Sequence, residues 1–348
     1  GKNHSINMAN YINLGNRRFA DSLDEEYIDK TGLIAEINAT LFKRNRFTCV
    51  SRCRRFGKSM AAEMLSAYYD KSCDSRELFR GLEIEKAPNF ETHLNKYPVI
   101  YVDMTDFVTR FHGDDAIVAV IQQMLIKDIS GVYKDVAVEE TDDLMEYLLR
   151  VAEATGEQFI FIIDEWDAIC RELENNKEAM GEYVNLLRRM FKSASASRVF
   201  ACVYMTGILP IKKYQTESAL NNFWEYSMID PEPLSRYFGF TREEVKMLCA
   251  RHGMPYEELE KWYDGYRIGT EPSMFNPSSV VKALAKRNCL NFWATTGAFD
   301  AVTRYIQMDY EGLQGDITSM LAGGRCKVAT SSFGNDPAIV RNRDEVLR

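Results

Sequence analysis

Apolar positions along the chain follow two different rhythms. Four stretches are continuously apolar rather than alternating: Phe47–Ser51, Val99–Asp103, Phe159–Asp164 and 199–206. A short continuous run rich in Val, Ile and Phe predicts a strand covered on both faces, as in a parallel sheet. Between these runs apolar residues recur every three or four positions. Met60, Ala61, Met64, Leu65 and Tyr68 predict a helix that starts at Gly57. Ile117, Val120, Ile121, Met124 and Leu125 predict another over about 114–129, and two more are expected near 142–154 and 177–191. Strands alternating with helices predict an α/β fold with a parallel sheet and right-handed crossovers.

The rhythm changes after about residue 230. No long β-branched run follows, and Thr241 with Glu244 three positions later reads as a capping box. Val245, Leu248 and Cys249 then share one helical face, so 231–348 is expected to be a helical lid module. The predicted division is an N-terminal segment, 1–45, packed on a core of 46–230, followed by that module. Gly323-Gly324 and Ser331-Ser332 read as turns.

Composition narrows the class. The chain has 348 residues, 46% hydrophobic and 27% charged, enough for one large domain and a smaller one. Its longest apolar runs are strand-sized, below the roughly 18 residues of a membrane helix, and the first residues lack the apolar core of a signal peptide. No membrane association is expected. The eight cysteines include no CxxC pair, and Cys49 and Cys202 sit inside apolar strands, which fits free thiols in a reducing cytoplasm. A net charge of −8 argues against a general nucleic-acid surface, although Arg52, Arg54, Arg55 and Lys58 form a local basic patch. His93, His112 and His252 share no metal-ligand spacing, and Cys49 with Cys53 lacks the rest of a set.

That patch lies in candidate chemistry. Gly57-Lys58-Ser59 matches the second half of the phosphate loop G-x-x-x-x-G-K-[ST], between a predicted strand and a predicted helix, with Arg52 where the first glycine would stand. Backbone N–H groups at a helix N-terminus attract anions. The stretch Arg54, Arg55, Phe56, Gly57, Lys58, Ser59 and Met60 is therefore the expected nucleotide cradle, with Lys58 on the β and γ phosphates and Ser59 on Mg²⁺. The plainer alternative is a well-capped helix start. Downstream, the apolar run 159–163 ends in Asp164 and Glu165, the pattern of a Walker B strand. Asp164 would hold Mg²⁺ and Glu165 would orient or deprotonate a water; the alternative is a strand ending in solvated carboxylates. Thr206, at the end of the fourth run, is a candidate sensor of the γ-phosphate or a structural strand end. Asp103 and Asp106 lie at the same sheet edge, and Asp167 is expected to cap the next segment. Arg54 and Arg55 could reach phosphates, pair with Glu165 or Asp167, or simply face solvent. Arg236 and Arg267 are candidate lid arginines. The run 262–267, rich in aromatics, fits packing better than an adenine platform.

Taken together, several segments resemble the bacterial and archaeal AAA-ATPase-like family. They are Tyr27-Ile28-Asp29-Lys30-Thr31, Arg52-Cys53-Arg54-Arg55-Phe56-Gly57-Lys58-Ser59, Ile163-Asp164-Glu165-Trp166-Asp167, Thr206-Gly207-Ile208-Leu209 and Leu220-Asn221-Asn222, then Tyr237-Phe238-Gly239-Phe240-Thr241, Trp262-Tyr263-Asp264-Gly265-Tyr266 and Phe275-Asn276-Pro277-Ser278-Ser279. The resemblance spans about 12–348. In this family the loop reads R-P-R-R-F-G-K-[ST], so Arg52 follows the family, while Cys53 and Trp166 replace a usual proline and tyrosine. The resemblance implies an AAA-like P-loop ATPase core with a helical lid, and ATP with Mg²⁺ as its ligands. Such chains often continue into a nuclease-like domain of the PD-(D/E)XK type. This chain is expected to stop short of it, and no nuclease signature is present in it. The expected activity is Mg²⁺-dependent ATP hydrolysis that drives or gates a partner or fused domain. The alternatives are a nucleotide-gated switch with little turnover and a module that works on nucleic acid. No guanine-reading N-K-x-D is present, and ATP rests on the resemblance.

Overall fold

The computed structural model describes residues 10–24, 26–214, 216–263, 266–268 and 271–289. The four expected strands are β1 (Phe47–Ser51), β2 (Val99–Asp103), β3 (Phe159–Asp164) and β4 (Phe200–Gly207), joined by a short β5 (Trp224–Tyr226). All neighbours run parallel, in the order β5-β1-β4-β3-β2. β4 thus lies between the strands that carry the two acidic and phosphate-loop motifs. β5 has three residues, none of them buried, so it gives no apolar run to read.

The continuous apolar pattern has a simple cause: both faces of the sheet are covered. Phe47, Cys49, Ile100, Val102, Phe161, Ile163, Val203 and Met205 point to one side, against the Ile117–Val132, Leu144–Thr155 and Lys177–Phe191 helices. Val50, Tyr101, Ile160, Ile162, Cys202 and Tyr204 point to the other, against the Lys58–Tyr69 and Gly32–Asn38 helices. Each fully buried Ile or Phe contributes about 1.5–3 kcal/mol. The helix expected from 114 begins at Ile117 because the Asp114 carboxylate accepts the Ala116 N–H at 2.8 Å and holds a turn there. Asp143 caps the next helix by accepting from Glu146 N at 2.7 Å.

The N-terminal segment closes the outer edge of β2. Ile12 bridges to Ile100, Tyr101 N donates to Tyr11 O at 2.7 Å, and Asn13 N donates to Val99 O at 2.8 Å. Asp128 accepts the N–H groups of Asn10, Tyr11 and Ile12 at 2.9, 2.8 and 3.0 Å. An open strand edge is an association hazard, and this strap covers it.

Beyond residue 230 the expected helices are present at Arg242–His252, Tyr256–Tyr263 and Pro277–Lys286. With them comes a small antiparallel sheet absent from the sequence reading: β6 (Phe240–Thr241), β7 (Tyr266–Ile268) and β8 (Glu271–Phe275), in the order β6-β8-β7. Val245, Leu248, Leu259, Phe275 and Val280 form its core together with Ile28 of the N-terminal segment. The Thr241 capping box is complete, with Glu244 N to Thr241 Oγ1 at 3.2 Å and Thr241 N to Glu244 Oε1 at 2.8 Å. Lys30 ties the module to the N-terminal segment by donating to Glu244 Oε1 at 2.7 Å and to Arg236 O at 2.7 Å. The turns expected at Gly323-Gly324 and Ser331-Ser332 lie outside the described residues, as does the side chain of Arg267. No helix among the described residues is long and apolar enough to cross a membrane.

Candidate functional site

The carboxyl ends of β1, β3 and β4 meet at one place, where ligands bind in open α/β sheets. From β1 the chain turns through 52–57 into the Lys58–Tyr69 helix. Gly57 is its N-cap residue, at φ 84°. No atom lies within 4 Å of a side chain built there, so glycine is needed for conformation rather than for space.

Arg52 is wholly buried and does not face the loop's concavity. Its guanidinium donates to Ser51 O at 2.8 Å and to Tyr226 O at 2.7 Å, and lies 5.6 Å from the centre of the Phe238 ring. The arginine in the place of the first glycine staples the loop to β5. Lys58 is also buried. Its ammonium donates to Arg52 O at 2.7 Å and Gly207 O at 2.9 Å, and stands 3.2 Å from Glu165 Oε1.

Ser59 Oγ donates to Asp164 Oδ2 at 2.6 Å. Thr206 Oγ1 donates to the other oxygen of Asp164 and accepts from Glu165 N at 3.0 Å. Thr206 therefore orients both acids at the end of β3. Glu165 has φ 54°, in the left-handed region that a non-glycine residue rarely occupies. Such a conformation costs about 1–3 kcal/mol and persists where the surroundings impose it. It turns Glu165 back toward Lys58, while its second oxygen accepts from Arg171 at 2.6 Å.

Asp167 departs from expectation. Its side chain does not cap the following helix, Ala168–Glu172. It is wholly buried, and its Oδ2 accepts from Ile208 N at 3.0 Å, Leu209 N at 3.2 Å and Tyr214 Oη at 2.7 Å. Arg171 Nε lies 3.4 Å from its Oδ1. Burial is the largest influence on this carboxyl and raises it, but the charges of Arg171 and Lys58 and the bonds from Tyr214 and Leu209 outweigh it and hold it below the ordinary value. Glu225 of β5 completes the frame, accepting from Ser51 Oγ at 3.0 Å and Ile211 N at 2.8 Å. Burial pushes its carboxyl up.

The arginine that pairs with Glu165 and Asp167 is thus Arg171, not Arg54 or Arg55. Arg55, exposed and at φ 68°, reaches Ser278 Oγ at 3.4 Å. Arg236 also lies elsewhere, paired with Glu83 at 3.0 Å and bonded to Tyr237 Oη at 2.9 Å. Asp103 is in register with Asp164 but caps its own helix by accepting from Thr105 N at 2.9 Å. Although part of it reaches solvent, desolvation and then the charge of Asp164 raise its carboxyl. In the aromatic run, Tyr263 is buried in the small module and Trp262 is exposed.

Above the loop opens a cleft of about 560 Å³ lined by all of 54–60 and by Glu165. The rest of its lining is largely apolar and comes from Phe19, Tyr27 and Ile28 of the N-terminal segment, where Glu26 and Lys30 also reach it, and from Tyr237, Phe240, Pro277 and Val281 in and just before the small module. This volume is in the usual range for a small-molecule site. One end is a set of helix N–H groups beside a lysine, and the other is aromatic and aliphatic.

A family model described as "Predicted AAA-ATPase" (AAA-ATPase_like) matches residues 15–216, more than half of the chain. The chain belongs to that family. The matched span holds β1 to β4 together with Lys58, Ser59, Asp164, Glu165, Asp167 and Thr206, while Glu225 of β5 lies beyond it. Membership in the AAA-ATPase-like family supports nucleotide binding and an ATPase-like function. No curated protein matches the chain. Among solved structures, the chain is similar to "Structure of the Aeropyrum Pernix ORC2 protein (ADPNP-ADP complexes)", at 12% identity over 84% of this chain and 77% of that one, with a TM-score of 0.39.

The donor set suits Mg²⁺: Ser59 and Asp164 present hard oxygens side by side, and Mg²⁺ usually takes one or two protein oxygens plus phosphate and water. Among the described residues no group of three or more His, Cys, Asp and Glu could hold a metal by itself.

Sequence reasoning missed Arg171, Tyr214 and Glu225. Arg171 left a faint signal, since Asp167 and Arg171 stand four apart, the spacing of a helical ion pair. The Ala168–Glu172 helix is too short for periodicity to reveal it. Tyr214 and Glu225 left none, because only folding brings them to Asp167 and Ser51.

Proposed function

We propose that this AAA-ATPase-like chain binds Mg²⁺-ATP in the cleft above 54–60 and hydrolyses it. The observation that carries this reading is the convergence of Lys58, Ser59, Asp164, Glu165 and Thr206 at one sheet edge beside that cleft. The base lies against the apolar wall, and the phosphates lie along the backbone N–H groups of Arg54, Arg55, Phe56, Gly57, Lys58, Ser59 and Met60. Ser59 and Asp164 hold Mg²⁺, which neutralises charge on the phosphate oxygens when bound. Lys58 exchanges its two carbonyl partners for phosphate oxygens. That exchange leaves Glu165 Oε1 to orient the attacking water and take its proton, while Thr206 holds both acids in place.

Residues 19–30 of the predicted N-terminal segment (1–45), and 237–240 and 277–281 of the module predicted after 230, close the cleft over the 46–230 core. The family resemblance supports a cycle that drives or gates a partner or a fused nuclease-like domain. Phosphate release by the wild type, set against Lys58→Ala and Glu165→Gln, tests hydrolysis. The reading requires wild-type turnover well above both variants, with nucleotide still bound by Glu165→Gln. A wild type no faster than Lys58→Ala overturns it.

One observation favours a second reading, a nucleotide-gated switch with little turnover. Both oxygens of Glu165 already have cationic partners, Lys58 and Arg171, and Lys58 is itself held by two loop carbonyls. Tight nucleotide binding with turnover indistinguishable from Glu165→Gln would favour it.

A further inference from the structure

Arg171 is buried, although nothing in the hydrolytic reading above calls for it. It faces two carboxylates at once: one terminal nitrogen lies 2.6 Å from Glu165 Oε2, and its Nε lies 3.4 Å from Asp167 Oδ1. A third acid, Glu172, is 3.9 Å away on the exposed side. Asp167 is fixed in turn by two backbone N–H groups of 208–209 and the Tyr214 hydroxyl. The guanidinium is hydrogen-bonded to Glu165 and held on its other side by the ion-pair contact with the fixed Asp167, so its planar fork couples the position of Glu165 to that of Asp167. Its hold on Oε2 leaves Oε1 as the oxygen turned to Lys58 and the cleft.

We propose that Arg171 is the positioning residue for Glu165, fixing which carboxylate oxygen faces the phosphates. The proposal rests on the hydrolytic reading given above. Arg171 does not line the cleft. It acts through Glu165, and it links the orientation of that acid to the 208–214 loop. An acid displaced by about 1 Å from its working geometry loses on the order of 10²-fold in rate.

Arg171→Lys keeps a positive charge beside Asp167 but cannot reach both acids with a fork. Because that variant can alter folding, the double variant Asp167→Asn/Arg171→Met serves beside it, removing both buried charges together. The experiment measures single-turnover rate and the dissociation constant of a fluorescent ATP analogue, in the wild-type and Glu165→Gln backgrounds. The proposal expects the rate to fall at least tenfold in the wild-type background, with nucleotide affinity within about threefold. It further expects no added loss from Arg171→Lys or the double variant when Glu165 is already Gln, since residues acting as a unit are not additive. An equal loss in both backgrounds would show a structural role and overturn the proposal. So would an unchanged rate in both variants of the wild-type background. If the wild type itself turned over no faster than Lys58→Ala, the hydrolytic reading would fail first and this proposal with it.

Discussion

Asp167 offers the sharpest test of the frame beneath the site. Replacing it with Asn keeps a carbonyl oxygen for Ile208 N, Leu209 N and Tyr214 Oη, so the loss is concentrated in the charge that faces Arg171. Asn also turns an N–H₂ donor toward a guanidinium that can only donate. Breaking one side of a buried ion pair costs about 3–5 kcal/mol. Glu165 still compensates Arg171 in part, so the lower end is the better expectation. Unfolding entropy of about 2.1 cal/mol/K per residue gives ~0.7 kcal/mol/K for a chain of 348 residues. The midpoint of thermal unfolding should therefore fall by about 4 °C. The pH dependence has a definite sign. The folded-state carboxyl lies below its ordinary 3.8, so its stabilisation is complete above that value and is lost as pH falls through the lower folded value. Differential scanning fluorimetry should show a constant gap between wild type and Asp167→Asn from about pH 8 to 5, narrowing only below about pH 4. A gap under 1 °C at neutral pH, or one that closes by pH 6, would refute the assignment of Asp167 as a charged, buried anchor.

Two further substitutions probe the loop and the strand end. Arg52→Gly restores the common phosphate-loop pattern but removes the staple to Tyr226 O, and it leaves a cavity in a wholly buried place. It should destabilise the protein by about 2–4 kcal/mol, read by urea unfolding, without tightening nucleotide binding. Tighter binding in Arg52→Gly would argue that the arginine obstructs the cradle. Gly207→Ala places a Cβ 2.6 Å from Trp166 Nε1 and 3.3 Å from Asp167 Cγ. The shift that follows should cost about 1–3 kcal/mol and change the emission of the buried Trp166. Unchanged stability and spectrum would show that the strand end is looser than the packing implies.

Sequence made the sheet legible for a definite reason. β1 to β4 are covered on both faces, so every residue of β1, β3 and β4 is buried and their apolar runs are unbroken. Where burial is partial the signal vanishes: β5 is short and half-exposed, and the 240–275 sheet is built from strands of two to five residues. At the site, Lys58, Ser59, Asp164, Glu165 and Thr206 were legible because each stands at a fixed offset from a strand end or a helix start. The structure brings these five together; their chemical roles are the proposal made above. The supporting arginine was not legible. Arg54 and Arg55 are the conspicuous ones in the sequence, crowded beside the loop, yet Arg171 is the one that three-dimensional packing places against Glu165 and Asp167. Asp167 stands at the N-cap of the Ala168–Glu172 helix, as expected, but its side chain does not cap it, for a related reason: its carboxylate partners are the N–H groups of 208–209, more than forty residues away in sequence.

The most direct test of nucleotide binding at this loop is thermal unfolding of wild type and Lys58→Ala, with and without Mg²⁺-ATP. At a hundred times its dissociation constant a ligand adds about 2.7 kcal/mol, a rise of ~4 °C for a chain of this size. The account predicts that rise in the wild type and its loss in Lys58→Ala. No rise in the wild type at millimolar Mg²⁺-ATP, or an equal rise in both proteins, would contradict it.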